Sequence, residues 1–303
     1  MDYKELLKPI LYADIFDYPL TDAEVYRFLE CKASKQQVDT LLAQAVESGR
    51  LLCVDDYYCL PNRVHLAAKR KARSNISQTL WPQATRYGQR LAGLPFVRMV
   101  AVTGALAVNN PRNGADDIDY LIVTQPGRLW LCRALIILLV RAGHLRGVHL
   151  CPNYIITENA LDFEPDFFVA REMLQMQPVY GRNVYLSVIA RNSWTTRYFP
   201  QGSNPNLEKL NGDLPPGARG LKKVAETALA GFLGDTLERW LQKKQVDKHV
   251  RRTQQEQLAD TVIFTTDVCK GHYDGHSSRT MDVYRQRLLQ YTNGKVKNEV
   301  EMR

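Results

Sequence analysis

No stretch of this 303-residue sequence is long and apolar enough to cross a bilayer. The longest apolar run, Leu129 to Val140, is interrupted by Arg133 and falls short of the roughly 20 residues a spanning helix needs. The opening MDYKELLKPI carries early acids and no apolar core, so it is not expected to be a secretory signal. The six cysteines (Cys31, Cys53, Cys59, Cys132, Cys151, Cys269) include no C-x-x-C pair, and most lie in apolar surroundings typical of buried free thiols. Together these absences lead us to expect a cytoplasmic protein with no membrane partner. Repeats and low-complexity segments are lacking too. Acids are the minority charge, 32 against 40 Lys and Arg, and the net charge of +8 favours polyanionic partners such as nucleic acid or nucleoside triphosphates, although terminal helices carry part of it. With 45% hydrophobic and 24% charged residues, the chain has the composition of an ordinary globular protein of two or three domains.

What is present centres on Met99 to Thr124, MVAVTGALAVNNPRNGADDIDYLIVT. It reads as an apolar strand to Thr103, a turn at Gly104, a polar Asn/Gly-rich loop, and a second apolar strand that opens with carboxylates. Asp117 and Asp119 sit two apart, so on a strand they project from one face with their roots about 7 Å apart. Paired carboxylates of this kind hold hard divalent ions, and Mg²⁺ typically takes one or two with phosphate oxygens and water completing its shell. Glycine at position 104 lets backbone approach a phosphate, and a short helix over Ala105 to Val108 would aim free N–H groups at it. The order is the signal: strand, Thr103-Gly104-Ala105, eleven residues, then Asp117-Ile118-Asp119 opening the next strand.

These residues resemble the signature of the nucleotidyltransferase superfamily, the polymerase-β-like and kanamycin-nucleotidyltransferase-like enzymes. There, Gly-Gly or Gly-Ser is followed by Asp-hydrophobic-Asp/Glu on the next strand. The resemblance spans roughly Val97 to Ile156, about a fifth of the chain. It implies that Thr103, Gly104 and Ala105 face the phosphates of a nucleoside triphosphate, with ATP the expected one, and that Asp117 and Asp119 are catalytic and hold Mg²⁺. Two positions depart from the pattern. Ala105 stands where the family usually has Ser or Gly, and the following strand, Val148 to Thr157, shows no third carboxylate. His149, Cys151 and Asn153 alternate there, and Glu158 falls just beyond. His149 could serve as a base or be a packing residue; Asn153 could orient a group through its amide oxygen.

The first sixty residues form a unit of their own. A helix runs from Glu5 to Phe16; Thr21 to Glu24 and Ser34 to Gln37 are capping boxes opening two more; Leu51 to Leu60 reads as a hairpin turning at Asp55-Asp56. Three helices and a hairpin resemble the winged helix-turn-helix domains of transcriptional regulators. The third helix offers Lys35, Gln36, Thr40 and Gln44 but also Asp39 and Glu47, and acids sit at the wing tip, so weak DNA binding or a docking role is expected.

A helical connector, His65 to Arg90, carries the basic cluster Lys69, Arg70, Lys71 and Arg73, either a solvated face or a contact for nucleic acid or a triphosphate tail. Helices are expected over Gly127 to Ala142, Asp166 to Met176 and Arg182 to Trp194; Gln201 to Gly220 is a Pro/Gly/Asn-rich linker. One long helix is expected over Leu221 to Arg252, its apolar stripe packing on the same chain or on a second copy as a homodimer. His272 and His276 have a metal-ligand spacing, but Gly271 and Gly275 argue for a structural or phosphate-contacting loop, with Lys270 a candidate triphosphate partner.

The expected fold is therefore α/β: a winged helix (1–63), a nucleotidyltransferase-like mixed sheet with flanking helices (64–200), and a helical C-terminal region (201–303). The expected function is Mg²⁺-dependent transfer of a nucleoside monophosphate to a small-molecule, protein or RNA acceptor. Its rival is a non-catalytic nucleotide sensor or regulator that uses the winged helix for interaction.

Overall fold

The computed structural model describes residues 1–203, 213–256, 263–270 and 276–292. The chain opens with α1 (Tyr3–Asp14), α2 (Asp22–Arg27) and α3 (Lys35–Glu47). Both capping boxes close in full: Thr21 and Ser34 accept from the N3 backbone while Glu24 and Gln37 reach back to the cap. The hairpin β1 (Leu52–Val54) and β2 (Tyr57–Cys59) turns through Asp55 and Asp56, both at positive φ, as a two-residue hairpin turn requires. Leu6, Ile10, Leu20, Val25, Val38 and Leu42 form the core of this unit.

The connector is α4 (His65–Ala92), which continues through Pro82. Its basic cluster is spent on the N-terminal unit. Lys69 pairs with Asp17 at 2.5 Å, Arg70 with Glu24 at 2.7 Å and Lys71 with Asp55 at 2.7 Å, while Arg73 donates to Phe16 O and Asn110 Oδ1. Arg70 is buried and also covers the Tyr18 ring, so this part of the cluster binds α4 to the unit before it.

An α/β core follows. Strands β3 (Val97–Val102), β4 (Ile118–Thr124), β5 (Leu150–Thr157), β6 (Gln177–Tyr180), β7 (Ile263–Phe264) and β8 (Val268–Lys270) form one mixed sheet in the order β6-β3-β4-β5-β8-β7. Only β4 and β5 pair in parallel, across the helix α6 (Leu129–His144). Alternation sorts β3 and β4 between two cores. Val100, Val102, Tyr120 and Ile122 face α4 and α6; Met99, Ala101, Leu121 and Val123 face α7 (Phe167–Gln175) and α8 (Arg182–Arg191). A one-turn helix, α5 (Gly104–Ala107), links β3 to the loop before β4.

The expected long helix over Leu221 to Arg252 is instead two, α10 (Pro216–Ala228) and α11 (Phe232–Glu256), after the short α9 (Thr195–Tyr198). The chain breaks at Leu229, whose carbonyl lies so close to the Cα of Gly234 that no Cβ fits between them. The edge strand β6, a four-residue segment containing Pro178, was not foreseen. Residues of the C-terminal third are shared out. α10 and α11 cover one sheet face, β7 and β8 extend the sheet, and α12 (His276–Thr292) packs Tyr284 into the N-terminal core beside Tyr12.

Candidate functional site

The turn between β3 and β4 is built around Gly104. Thr103 N–H donates to Asp119 O at 2.9 Å, which holds the end of β3 against the start of β4. Gly104 then takes φ +65°, the left-handed region, and its Cα lies directly under the Asp119 carboxyl. A Cβ here would stand 3.1 Å from Asp119 Cγ, 3.3 Å from its Cβ and well inside contact with Oδ2. Glycine is required twice over, by backbone conformation and by space. Ala105 follows within α5, and the Thr103 hydroxyl is buried with no hydrogen-bond partner.

Asp119 shares a sheet face with Leu121 and Val123 and pairs in register with Cys151 on β5. Burial pushes its carboxyl up to about 6; the charges of Asp117 and Asp116 add to this, while the Cys151 thiol, donating to it, opposes. Asp117 stands one residue before β4, and its side chain is exposed at the mouth of the site. His149 Nδ1 is 4.0 Å from Asp117 Oδ1, and its ring meets His144 edge to face at 5.1 Å. Asp117, His144, His149 and Cys151 line an open pocket of about 650 Å³ together with Leu145 and Pro152.

The third carboxylate comes from a place not foreseen. Glu172 on α7 accepts the Gly104 N–H, so it meets the same glycine that underlies Asp119. Burial, then the charge of Asp119, raise its carboxyl to about 7. The helix that carries it starts at Asp166, whose Oδ1 accepts from Val169 N at 3.0 Å. One signal was available: Arg171-Glu172 is a charged pair inside the apolar segment FFVAREMLQ, where Ala170, Met173 and Leu174 are buried. Its neighbour Arg171 is fully buried against the Phe28 ring, with the guanidinium carbon 3.3 Å from the centroid. Residues 171 and 172 thus face the N-terminal unit and the glycine turn from one helical step.

Glu158 does not join the site. It follows Thr157 at the far end of β5, donating its N–H to Thr124 O, about 23 Å along the strand from Cys151. The register of β5 slips between Cys151 and Tyr154, so Asn153 falls in a bulge and only Cys151 of the alternating series opposes Asp119. Lys270 pairs with Tyr154, its Nζ 6.0 Å from that ring centroid, and so shares the Asp119 face two strands away. His272 and the side chain of His276 lie outside the described residues. Among the described residues, no group of three or more His, Cys, Asp or Glu side chains is placed to hold a metal ion by itself.

Compared with protein-family models, curated proteins and solved structures, this chain matches none. The chemistry is therefore argued from the residues. Two carboxyls, Asp119 and Glu172, flank one glycine, a third, Asp117, stands exposed beside them, and a histidine pair opens onto the adjoining pocket. Such a set can take up a proton near neutral pH and bring backbone close to an anionic ligand.

Proposed function

We propose that this chain is a Mg²⁺-dependent nucleotidyltransferase that moves a nucleoside monophosphate from a triphosphate, with ATP the expected donor, to an acceptor hydroxyl and releases pyrophosphate. One observation carries the reading: Asp119 is folded over a glycine at positive φ that ends the preceding strand, with Asp117 and Glu172 beside it. The donor set fits Mg²⁺. Asp117 and Asp119 offer hard carboxylate oxygens, two are enough when phosphates complete the shell, and the buried Thr103 hydroxyl is a further oxygen without a partner. Bound there, the ion would supply neutralisation of phosphate charge.

The residues of the chain have separate tasks in this reading. Gly104 and Ala105 let the backbone approach the phosphates, and Thr103 can offer the hydroxyl that Ala105 lacks. As the acceptor oxygen bonds to the α-phosphorus and the bond to pyrophosphate breaks, the hydroxyl proton needs a base. Glu172, raised to about 7 by its burial, is matched to that role, typically worth on the order of 10² to 10⁴ in rate. The first 63 residues are read as a winged-helix domain for docking, with weak DNA affinity at most. Lys35 on the third helix already pairs with Asp22 and Asp39, and Lys71 with Asp55 at the hairpin tip.

A second reading, a nucleotide sensor without turnover, is favoured by Cys151 standing opposite Asp119 and by Glu172 holding the Gly104 N–H for itself. Incubation with each labelled triphosphate, Mg²⁺ and an acceptor pool, followed by pyrophosphate release and mass analysis, separates the two. Turnover with at least one triphosphate supports the enzyme; tight Mg²⁺-dependent binding with no turnover supports the sensor; neither binding nor turnover removes both.

A further inference from the structure

Helices α10 and α11 turn three charged side chains inward and leave six large apolar ones outside. Lys222 is buried, its Nζ donating to Ala92 O at 2.8 Å and Val97 O at 2.5 Å. Glu226 accepts from Phe96 N at 2.7 Å and Arg98 Nη1 at 2.8 Å. Glu238 accepts from Trp130 N at 2.9 Å and Leu131 N at 2.7 Å at the start of α6. Meanwhile Leu221, Val224, Phe232, Leu233, Leu237 and Trp240 are exposed, Phe232 at 78% and Trp240 at 51%. Leu229, Leu241 and Val246 already pack on the core, so these exposed side chains form a second apolar stripe that an ordinary surface helix does not carry.

Size argues that the stripe is covered. On α11, residues 233, 237 and 240 follow one another at steps of four and three and so share a face, flanked by Phe232. Six such side chains expose roughly 800 Å² together, above the roughly 300–600 Å² of the largest patch on a typical monomer and close to one partner's half of a standard interface. Area and continuity argue for what covers it. Leu221 and Val224 on α10 and Phe232 and Leu233 on α11 border the helix break, so one exposed stripe continues from one helix to the next.

We infer that this face is an interface between two copies of the chain, α10 and α11 of one against α10 and α11 of the other about a two-fold axis. The exposed area matches one partner's share of a standard interface, and a two-fold contact lets the same stripe serve both sides, with Phe232 of each copy against the stripe of its mate. The face that carries Asp119 and Glu172 lies on the other side of the sheet and takes no part in this contact. Exposed cations Arg219, Lys223, Arg239, Lys243 and Lys244 flank the stripe. Identical rims repel, so the dimer tightens as salt rises. An anionic lipid surface or an acidic protein would bind more weakly as salt rises.

Sedimentation velocity of the full chain, at concentrations up to about 100 µM and from about 0.05 to 0.5 M salt, tests this. The expected result is a dimer that tightens with salt and whose dissociation constant rises at least about thirtyfold in Phe232→Glu. Leu221→Glu, on the other helix, repeats the test independently, with an unchanged circular dichroism spectrum as the check on folding. A chain that stays monomeric throughout, or a dimer indifferent to both substitutions, overturns the assignment. So does a monomer that pellets with phosphatidylserine–phosphatidylcholine vesicles, which would give the stripe to a lipid surface.

Discussion

Gly104→Ala should separate stability from binding. Residue 104 sits at φ +65°, where a non-glycine residue costs roughly 1–2 kcal/mol. The new Cβ would also press on Asp119, 3.1 Å from its Cγ and closer still to Oδ2, so that carboxyl must rotate away. Rotation takes it from Cys151 and from its place beside Glu172. Urea unfolding should therefore show a loss of about 1–3 kcal/mol, the backbone penalty plus a modest repacking cost. Nucleotide affinity should fall by far more, at least about a hundredfold, because in the proposed site the displaced carboxyl would no longer meet the cation. A double-mutant cycle isolates the clash. In an Asp119→Ala background, Gly104→Ala should cost only the backbone penalty, and the difference between the two costs is the pressure on the carboxyl. The reasoning fails if Gly104→Ala unfolds within about 0.5 kcal/mol of the parent and binds triphosphate equally well.

Three further outcomes follow from the same geometry. Glu172 and Asp119 have carboxyls raised to about 7 and about 6, so between their ordinary values and these the native state binds more protons than the unfolded one. Stability should fall as pH rises through that window, and Glu172→Gln should flatten the fall; an unchanged pH profile of the urea midpoint in that variant would show Glu172 to be solvated instead. In the proposed site, Ala105→Ser would add a hydroxyl donor beside the phosphates and should tighten triphosphate binding about tenfold by calorimetry, unless the partnerless Thr103 hydroxyl already fills that role, in which case affinity stays level. Duplex DNA should bind weakly, without sequence preference, and release with added salt; a selection that yields one tight motif at physiological salt would refute the docking reading of the first 63 residues.

Local chemistry was the legible part of this sequence. The boxes Thr21–Glu24 and Ser34–Gln37 and the Asp55-Asp56 turn are short-range patterns, and each appears where its residues sit. Continuous apolar runs likewise marked β3 and β4, because both faces of that part of the sheet are covered. What stayed hidden depends on distant partners. Arg70 and Lys71 look like a solvated basic run until Glu24 and Asp55 arrive to pair with them. Glu172 reads as one more charge on a helix, and only the fold lays it against Gly104. The α10–α11 break was marked by Gly231 and Gly234, but the apolar stripe runs on across it and masked the signal. Strand β6 escaped because Gln177–Tyr180 is four residues long with a proline, and its edge position comes from pairing with β3.

The central claim is that Asp119 holds a cation on which nucleotide binding depends. Isothermal titration of the parent and of Asp119→Asn with ATP, each with and without Mg²⁺, tests it most directly. The account predicts binding by the parent only with Mg²⁺ and none by the variant in either buffer. An Asp119→Asn protein that binds ATP as tightly as the parent in Mg²⁺ would contradict it.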